Sequence, residues 1–212
     1  MPRAHFEGIA PDHRPQSTAV VTLRTVVEPS WIDYNDHMTE WQYYKVLADA
    51  GDDFLRQVGF TPEYLRAGNS FFSVEGHMRN LKECRLGTPL EVRTDLLGYD
   101  DIRVHIYQYV VDTNRDLTVA TGEHLMLHVE LGQRKTTPML PALRAGLDEA
   151  FRAWAPRLQP KGLGAGVRRM HAGAPGACPE FQAGFFPRQD AAPDVGDGPV
   201  QVEAGGLGER FR

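Results

Sequence analysis

Cysteine is scarce. The 212-residue chain carries two, Cys84 and Cys178, far apart in the sequence. Two distant thiols make neither a disulfide framework nor a zinc pattern, so they read as reduced side chains in a reducing compartment, and a cytoplasmic location is expected. Long apolar runs are missing as well. None approaches the ~20 residues that cross a bilayer. The first 18 residues, MPRAHFEGIAPDHRPQST, hold no apolar core of a secretory signal. Nor is there an excess of positive charge: 23 Lys and Arg stand against 28 Asp and Glu, a net charge of −5. Nothing therefore draws the chain generally to nucleic acid or to an anionic membrane. A G-x-S-x-G elbow and a G-x-G-x-x-G loop are both absent, which removes α/β-hydrolase and Rossmann dinucleotide chemistry. No histidine set has ligand spacing, so neither a metal nor another cofactor is expected.

What is present has a definite order. Residues 1–18 are polar and proline-containing and read as a flexible arm. Ala19 to Glu28 is β-branched and predicts a strand. Thr39 and Gln42 have the spacing of a capping box, Glu40 suits the positive end of a helix dipole, and Gly59 is a natural stop. Between them Tyr44, Leu47, Ala48, Gly51, Phe54, Leu55 and Val58 recur with helical spacing, which predicts a long helix over 40–58 with one apolar face. A short helix follows at 61–67. Strands are predicted at 70–82, 90–97, 102–111 and 117–131, with a tight turn at Gly98 to Asp101, and then a helix at 142–154. A strand, a principal helix and a run of long strands make an α+β fold with an antiparallel sheet covering the helix. The domain is expected over 19–155. Residues 156–212 are rich in Gly, Pro and Ala and read as a disordered tail.

The chemistry concentrates in Trp31 to Tyr44, WIDYNDHMTEWQYY, which joins the first strand to the long helix. A helix start offers unpaired N–H groups and partial positive charge, which suit a carbonyl oxygen as it becomes an oxyanion. A carboxylate facing such a carbonyl can attack it directly or activate a water. Asp33 sits a few residues before that helix start. Asp33, Asn35 and Asp36 equally suit a turn that does nothing more than connect.

Asp33 to Glu40, DYNDHMTE, resembles the D-x-x-G-H-x-N-N segment of the 4-hydroxybenzoyl-CoA thioesterase-like hotdog family. Asp33 falls on that family's catalytic aspartate and His37 on its motif histidine. Asp36 stands where glycine is usual, and aspartate tolerates a left-handed backbone better than most residues. FFSVEGHMRNLKECRLGTPLEV and VATGEHLMLHV look like later strands of the same family. The resemblance covers about residues 19–145. It implies a hotdog fold, acyl-CoA hydrolysis, and a homodimer or homotetramer with the site at the subunit interface. It also implies Asp33 as nucleophile or general base, with backbone N–H groups around His37 to Thr39 holding the oxyanion.

Within that likeness YNDHMTEW is similar to the betainyl-CoA thioesterases of carnitine degradation. A trimethylammonium acyl group offers no N–H donors, and aromatic faces with nearby carboxylates hold such a cation. Trp41 and Tyr43 cluster near Glu40, and Glu75 and His77 share one face of the next strand. These five are the candidate substrate-binding residues, while Tyr44 fits the apolar stripe and is expected in the core. Trp41 and Tyr43 also suit packing at an interface. Arg79, Lys82, Arg85, Arg103, Arg134 and Lys135 are available for CoA phosphates. His105, His124 and His128 lie on strands and read as structural. An aromatic or fatty acyl-CoA thioesterase, and a non-catalytic acyl-CoA-binding module, remain as alternatives.

Overall fold

The computed structural model describes residue 15 and residues 18–166. Its strands are β1 (Val20–Val26), β2 (Asn69–Asn80), β3 (Pro89–Tyr99), β4 (Arg103–Asp112), β5 (Leu117–Glu130) and a short β6 (Lys135–Thr136). They form one antiparallel sheet in the order β1-β3-β4-β5-β2, with β6 added to β5. Helix α1 (Glu40–Gln57) packs against β1, β3, β4 and β5; α2 (Pro62–Arg66) and α3 (Pro141–Trp154) complete the unit. This is the α+β hotdog arrangement that the sequence resemblance implies.

α1 ends where expected, at Gly59 with φ +107°, a conformation open to glycine without steric cost. Buried along it are Gln42 and an apolar stripe of Tyr43, Val46, Leu47, Ala50, Gly51, Phe54 and Leu55, continuing to Val58. The stripe therefore begins on Tyr43, and the expectation that Tyr44 would lead it is corrected. Leu47 and Phe54 are fully buried, each worth about 1.5–3 kcal/mol of transfer energy. The capping box also fails to form. Thr39 is the N-cap, but its side chain caps nothing; its hydroxyl donates to the Trp31 carbonyl instead.

A bulge in β2 decides which face its residues occupy. The pairing with β5 slips between Ser73 and Glu75, so Val74 is extra and the in-out alternation inverts. Phe71 packs inward before the bulge and Met78 after it. A Cβ on Gly76 would meet Tyr44 and His124, which also face inward. Glu75 and His77 are consequently placed on the outer face, away from α1.

Two boundaries move. Gly98 and Tyr99 belong to β3, and the turn falls at Asp100, whose carboxylate accepts the N–H groups of Ile102 (2.9 Å) and Arg103 (2.8 Å). The segment assigned by composition to the tail is seated on the sheet as far as residue 166. Tyr107 Oη donates to the Lys161 carbonyl (2.9 Å), Gly164 N donates to Glu123 (2.8 Å), and Leu163 packs on Tyr107 and Tyr109. The arm before residue 15, and residues 167–212 with Cys178, lie outside the described residues.

Candidate active site

The loop ahead of α1 is closed by its own backbone. Ile32 and Met38 form an isolated bridge, Asp33 N donates to the His37 carbonyl (2.9 Å), and Asp36 N donates to the Asp33 carbonyl (3.1 Å). Asp36 sits at φ +61°, so the position where glycine is usual in the family is left-handed here and aspartate occupies it. The Asp33 carboxylate shapes the same turn. Its Oδ1 accepts from Asn35 N (2.7 Å) and more distantly from His37 N (3.4 Å). Among the described residues no hydrogen bond is made by Oδ2. His37 Nε2 lies 3.3 Å from a Glu83 carboxylate oxygen. That distance suits an ion pair with a protonated ring, but the atom makes no hydrogen bond of acceptable geometry.

The expected oxyanion donors are differently placed. The N–H groups of His37, Met38 and Thr39 already serve Asp33 Oδ1, the Cys84 carbonyl and the Trp31 carbonyl. Gln42 N is taken up by the Thr39 carbonyl. Because Thr39 provides no side-chain cap, Glu40 N and Trp41 N are the donors that the helix geometry leaves at its positive end. Beside this loop, Pro29, Ile32, Asp36, Arg85 and Leu86 line an open depression of about 400 Å³. Asp33 is not among its lining residues.

The other candidates separate. Glu40 and Trp41 are exposed at the helix start, Trp41 at 60%. Tyr43 is in the core, where its hydroxyl accepts from Cys84 N (2.9 Å) and donates to the Lys82 carbonyl (3.4 Å). It ties α1 to the β2–β3 connection. Glu75 and His77 line an outer-face cleft of about 290 Å³ with His105, Glu123 and residues 164–166. His105 and Glu123 are paired there at 3.0 Å. Within one chain, then, the fold does not gather Glu75 and His77 with Glu40 and Trp41.

A different chamber, about 170 Å³, lies between α1 and the inner face of the sheet. Tyr44, Ala48 and Asp52 supply its helical wall at intervals of four residues, and Ser73, Gln108 and His124 line it from the strands. His124 is 5% exposed, and burial lowers its pKa, so the ring is neutral at neutral pH. Sequence reasoning set His124 aside as structural and placed Tyr44 in the core. The signal that marks them is a pair of strand glycines. A Cβ on Gly76 would stand 3.1 Å from Tyr44 Oη and 3.3 Å from His124 Nδ1, and one on Gly122 would stand 3.0 Å from His124 Nε2. Glycine inside a strand marks such a close approach.

The thioesterase-like superfamily model matches residues 27–147. An L-carnitine dehydrogenase/betainyl-CoA thioesterase of Agrobacterium fabrum is 42% identical over 144 residues, which are 68% of this chain and 29% of that protein. The chain thus spans less than a third of the fused relative. The betainyl-CoA thioesterase of Pseudomonas aeruginosa is 32% identical over 149 residues, 70% of this chain and 94% of the relative. Among solved structures, a Staphylococcus aureus protein in complex with CoA superposes with a TM-score of 0.67 at 19% identity, covering 72% of this chain and 97% of its own; that likeness speaks to the fold.

Proposed function

The chain belongs to the thioesterase-like superfamily, and from that premise we propose that it hydrolyses an acyl-CoA thioester, with betainyl-CoA as substrate and glycine betaine and CoA as products. The observation that carries the reaction is the position of Asp33. Its carboxylate is fixed by Oδ1 in the turn directly before a helix start that has no side-chain cap, while Oδ2 takes no bond within the described residues. A carboxylate held at one oxygen keeps the other for chemistry.

Two routes fit this arrangement. Oδ2 attacks the thioester carbonyl, the C–S bond breaks and CoA leaves as the thiolate, and water then cleaves the resulting anhydride, restoring the carboxylate and releasing the proton that the thiolate takes up. Alternatively Oδ2 takes a proton from water as that water attacks, and the proton then passes to the departing sulfur. In both, the N–H groups of Glu40 and Trp41 face charge that grows on the carbonyl oxygen, in the positive field of α1. Arg85, in the depression beside Asp36, suits a CoA phosphate.

The reading includes a homodimer or homotetramer. β2 is an edge strand of twelve residues, with Phe72 and Val74 exposed at 39% and 46%. A long edge strand with unpaired backbone groups favours pairing with another copy. A cytoplasmic setting fits the free, buried Cys84 thiol.

The test is thiol release by the full chain from betainyl-CoA, benzoyl-CoA and a fatty acyl-CoA. Turnover of betainyl-CoA well above the others is expected. Turnover of only the neutral esters replaces the substrate, and binding of all three with no thiol released replaces the enzyme with an acyl-CoA-binding module.

A further inference from the structure

The chamber between α1 and the sheet has no part in holding the Asp33 turn, yet it contains polar groups whose burial has no internal explanation. Gln108 is fully buried. Its Nε2 donates to the Leu47 carbonyl at 3.1 Å, and its Oε1 has no partner. His124 Nε2 is likewise buried without a partner. An unpaired buried polar atom costs on the order of 1–3 kcal/mol. Both residues line this one small cavity, and an occupant that meets these atoms would offset the cost. Of the two, the amide oxygen is an acceptor only, so the occupant is electron-poor at that end.

The remaining lining agrees. No Lys or Arg borders the chamber, whereas Asp52 does. Tyr44 and His124 line it with two rings whose centroids are 5.6 Å apart and whose planes are tilted by 57°. With His124 neutral, no positive charge opposes a cation there. The volume, about 170 Å³, suits a compact acyl group and is too small for a long alkyl chain. A quaternary ammonium meets each condition: its charge is spread over methyl hydrogens that lie against aromatic faces and make weak C–H contacts to oxygen acceptors.

We infer that this chamber receives the acyl end of the substrate, and that Tyr44, Gln108 and His124 select a quaternary-ammonium acyl group over a neutral one of the same shape. The inference rests on the thioesterase reading above. It gives substrate selection to residues other than Trp41, Tyr43, Glu75 and His77. Tyr44 acts through its ring and Gln108 through Oε1, while the small side of Gly76 lets both rings approach the β2 strand.

The test pairs betainyl-CoA with 3,3-dimethylbutyryl-CoA, in which carbon replaces the quaternary nitrogen and the shape is kept. The readout is the ratio of kcat/KM for the two esters, measured for the native chain, Tyr44→Leu and Tyr44→Phe. Tyr44 is 44% exposed, so its replacement leaves the core packed. The native chain is expected to prefer betainyl-CoA. Tyr44→Leu is expected to lower the ratio about tenfold, and Tyr44→Phe, which keeps the ring, to hold it within about threefold of native. Cleavage of both esters with no preference, or an unchanged ratio in Tyr44→Leu, overturns the chamber assignment and leaves the hydrolase reading standing. Cleavage of neither ester overturns both.

Discussion

Gly146→Ala should weaken the fold severely, against the ordinary sign of that exchange. Alanine in place of glycine inside a helix normally gains about 0.5–1 kcal/mol. Here α3 crosses the end of α1 so closely that a Cβ on Gly146 would stand 2.0 Å from the Val58 carbonyl oxygen and 2.9 Å from its carbon. Real Cβ atoms essentially never come within 3.0 Å of such neighbours, so the two backbones must part by about 1 Å, and backbone cannot rotate away as a side chain can. The residues on either side in space, Leu143 and Leu147, are fully buried in the cluster that includes Phe54 and Leu96. Moving α3 outward opens that cluster. Overpacking costs about 1–3 kcal/mol and occasionally more, and the lost contacts add to it, so a net loss of about 3 kcal/mol is expected. Equilibrium urea unfolding at fixed protein concentration reads this as a midpoint lower by roughly 1–2 M at an unchanged slope. Ala145→Gly, at the exposed neighbouring position, is the control and should lose only about 1 kcal/mol. A Gly146→Ala midpoint at or above that of the native chain refutes the close crossing of α1 and α3.

Two further outcomes follow from buried polar groups. Asp95 is fully buried on the outer face of the sheet. Tyr109 Oη donates to its Oδ2 at 3.0 Å, Oδ1 has no partner, and burial pushes its pKa up to about 6. The folded-state value lies above the unfolded one. The penalty of ionising this group is thus absent below about pH 4, grows between about 4 and 6, and is complete above, at roughly 3 kcal/mol. Asp95→Asn should therefore stabilise the chain by about 2–3 kcal/mol at pH 8 and by almost nothing at pH 4 in paired urea titrations; an equal effect at both pH values contradicts the assignment. Tyr64 Oη joins His128 Nε2 (2.8 Å) and accepts from Leu140 N (3.1 Å), while His128 Nδ1 donates to the Thr137 carbonyl at 2.7 Å. Tyr64→Phe strands the buried His128 ring nitrogen and removes the acceptor of the part-buried Leu140 N–H, and should cost about 1–3 kcal/mol in the same assay, whereas a loss under about 0.5 kcal/mol would mean that the network does not hold α3's entry to β5.

The long helix, the succession of strands along the chain and the turn before α1 were legible in the sequence because each rests on local signals: helical spacing, β-branched runs, and Asx residues ahead of Thr39; the place of β2 beside β5 rather than β3 was not. The rotation of α1 was not. Tyr43 and Tyr44 are adjacent, both aromatic and about 100° apart on the helix, so composition cannot choose which enters the core. The choice follows from the β2–β3 connection, whose Cys84 N and Lys82 carbonyl meet the Tyr43 hydroxyl. The faces of β2 were hidden for a similar reason. One extra residue at Val74 inverts the alternation, and only the partner strand reveals it. Glu75 and His77 were read correctly as sharing a face, but the bulge turns that face outward. Residues 156–166 looked like tail because glycine and proline dominate them, yet backbone groups of Lys161 and Gly164 find partners on the sheet. The Asp33 motif stood out by resemblance to a family, and both its turn-forming and its reactive readings were open in the sequence; the structure adds that Oδ1 is the oxygen held in the turn.

Those two readings also make the central claim directly testable. Asn at position 33 keeps an Oδ1 that accepts from Asn35 N and removes the negative charge. Thiol release from betainyl-CoA by Asp33→Asn, compared with the native chain at matched folded concentration, should fall by at least about a hundredfold while the urea midpoint stays within experimental error. Native-like turnover in that variant would contradict the account and leave the residue as a former of the turn alone.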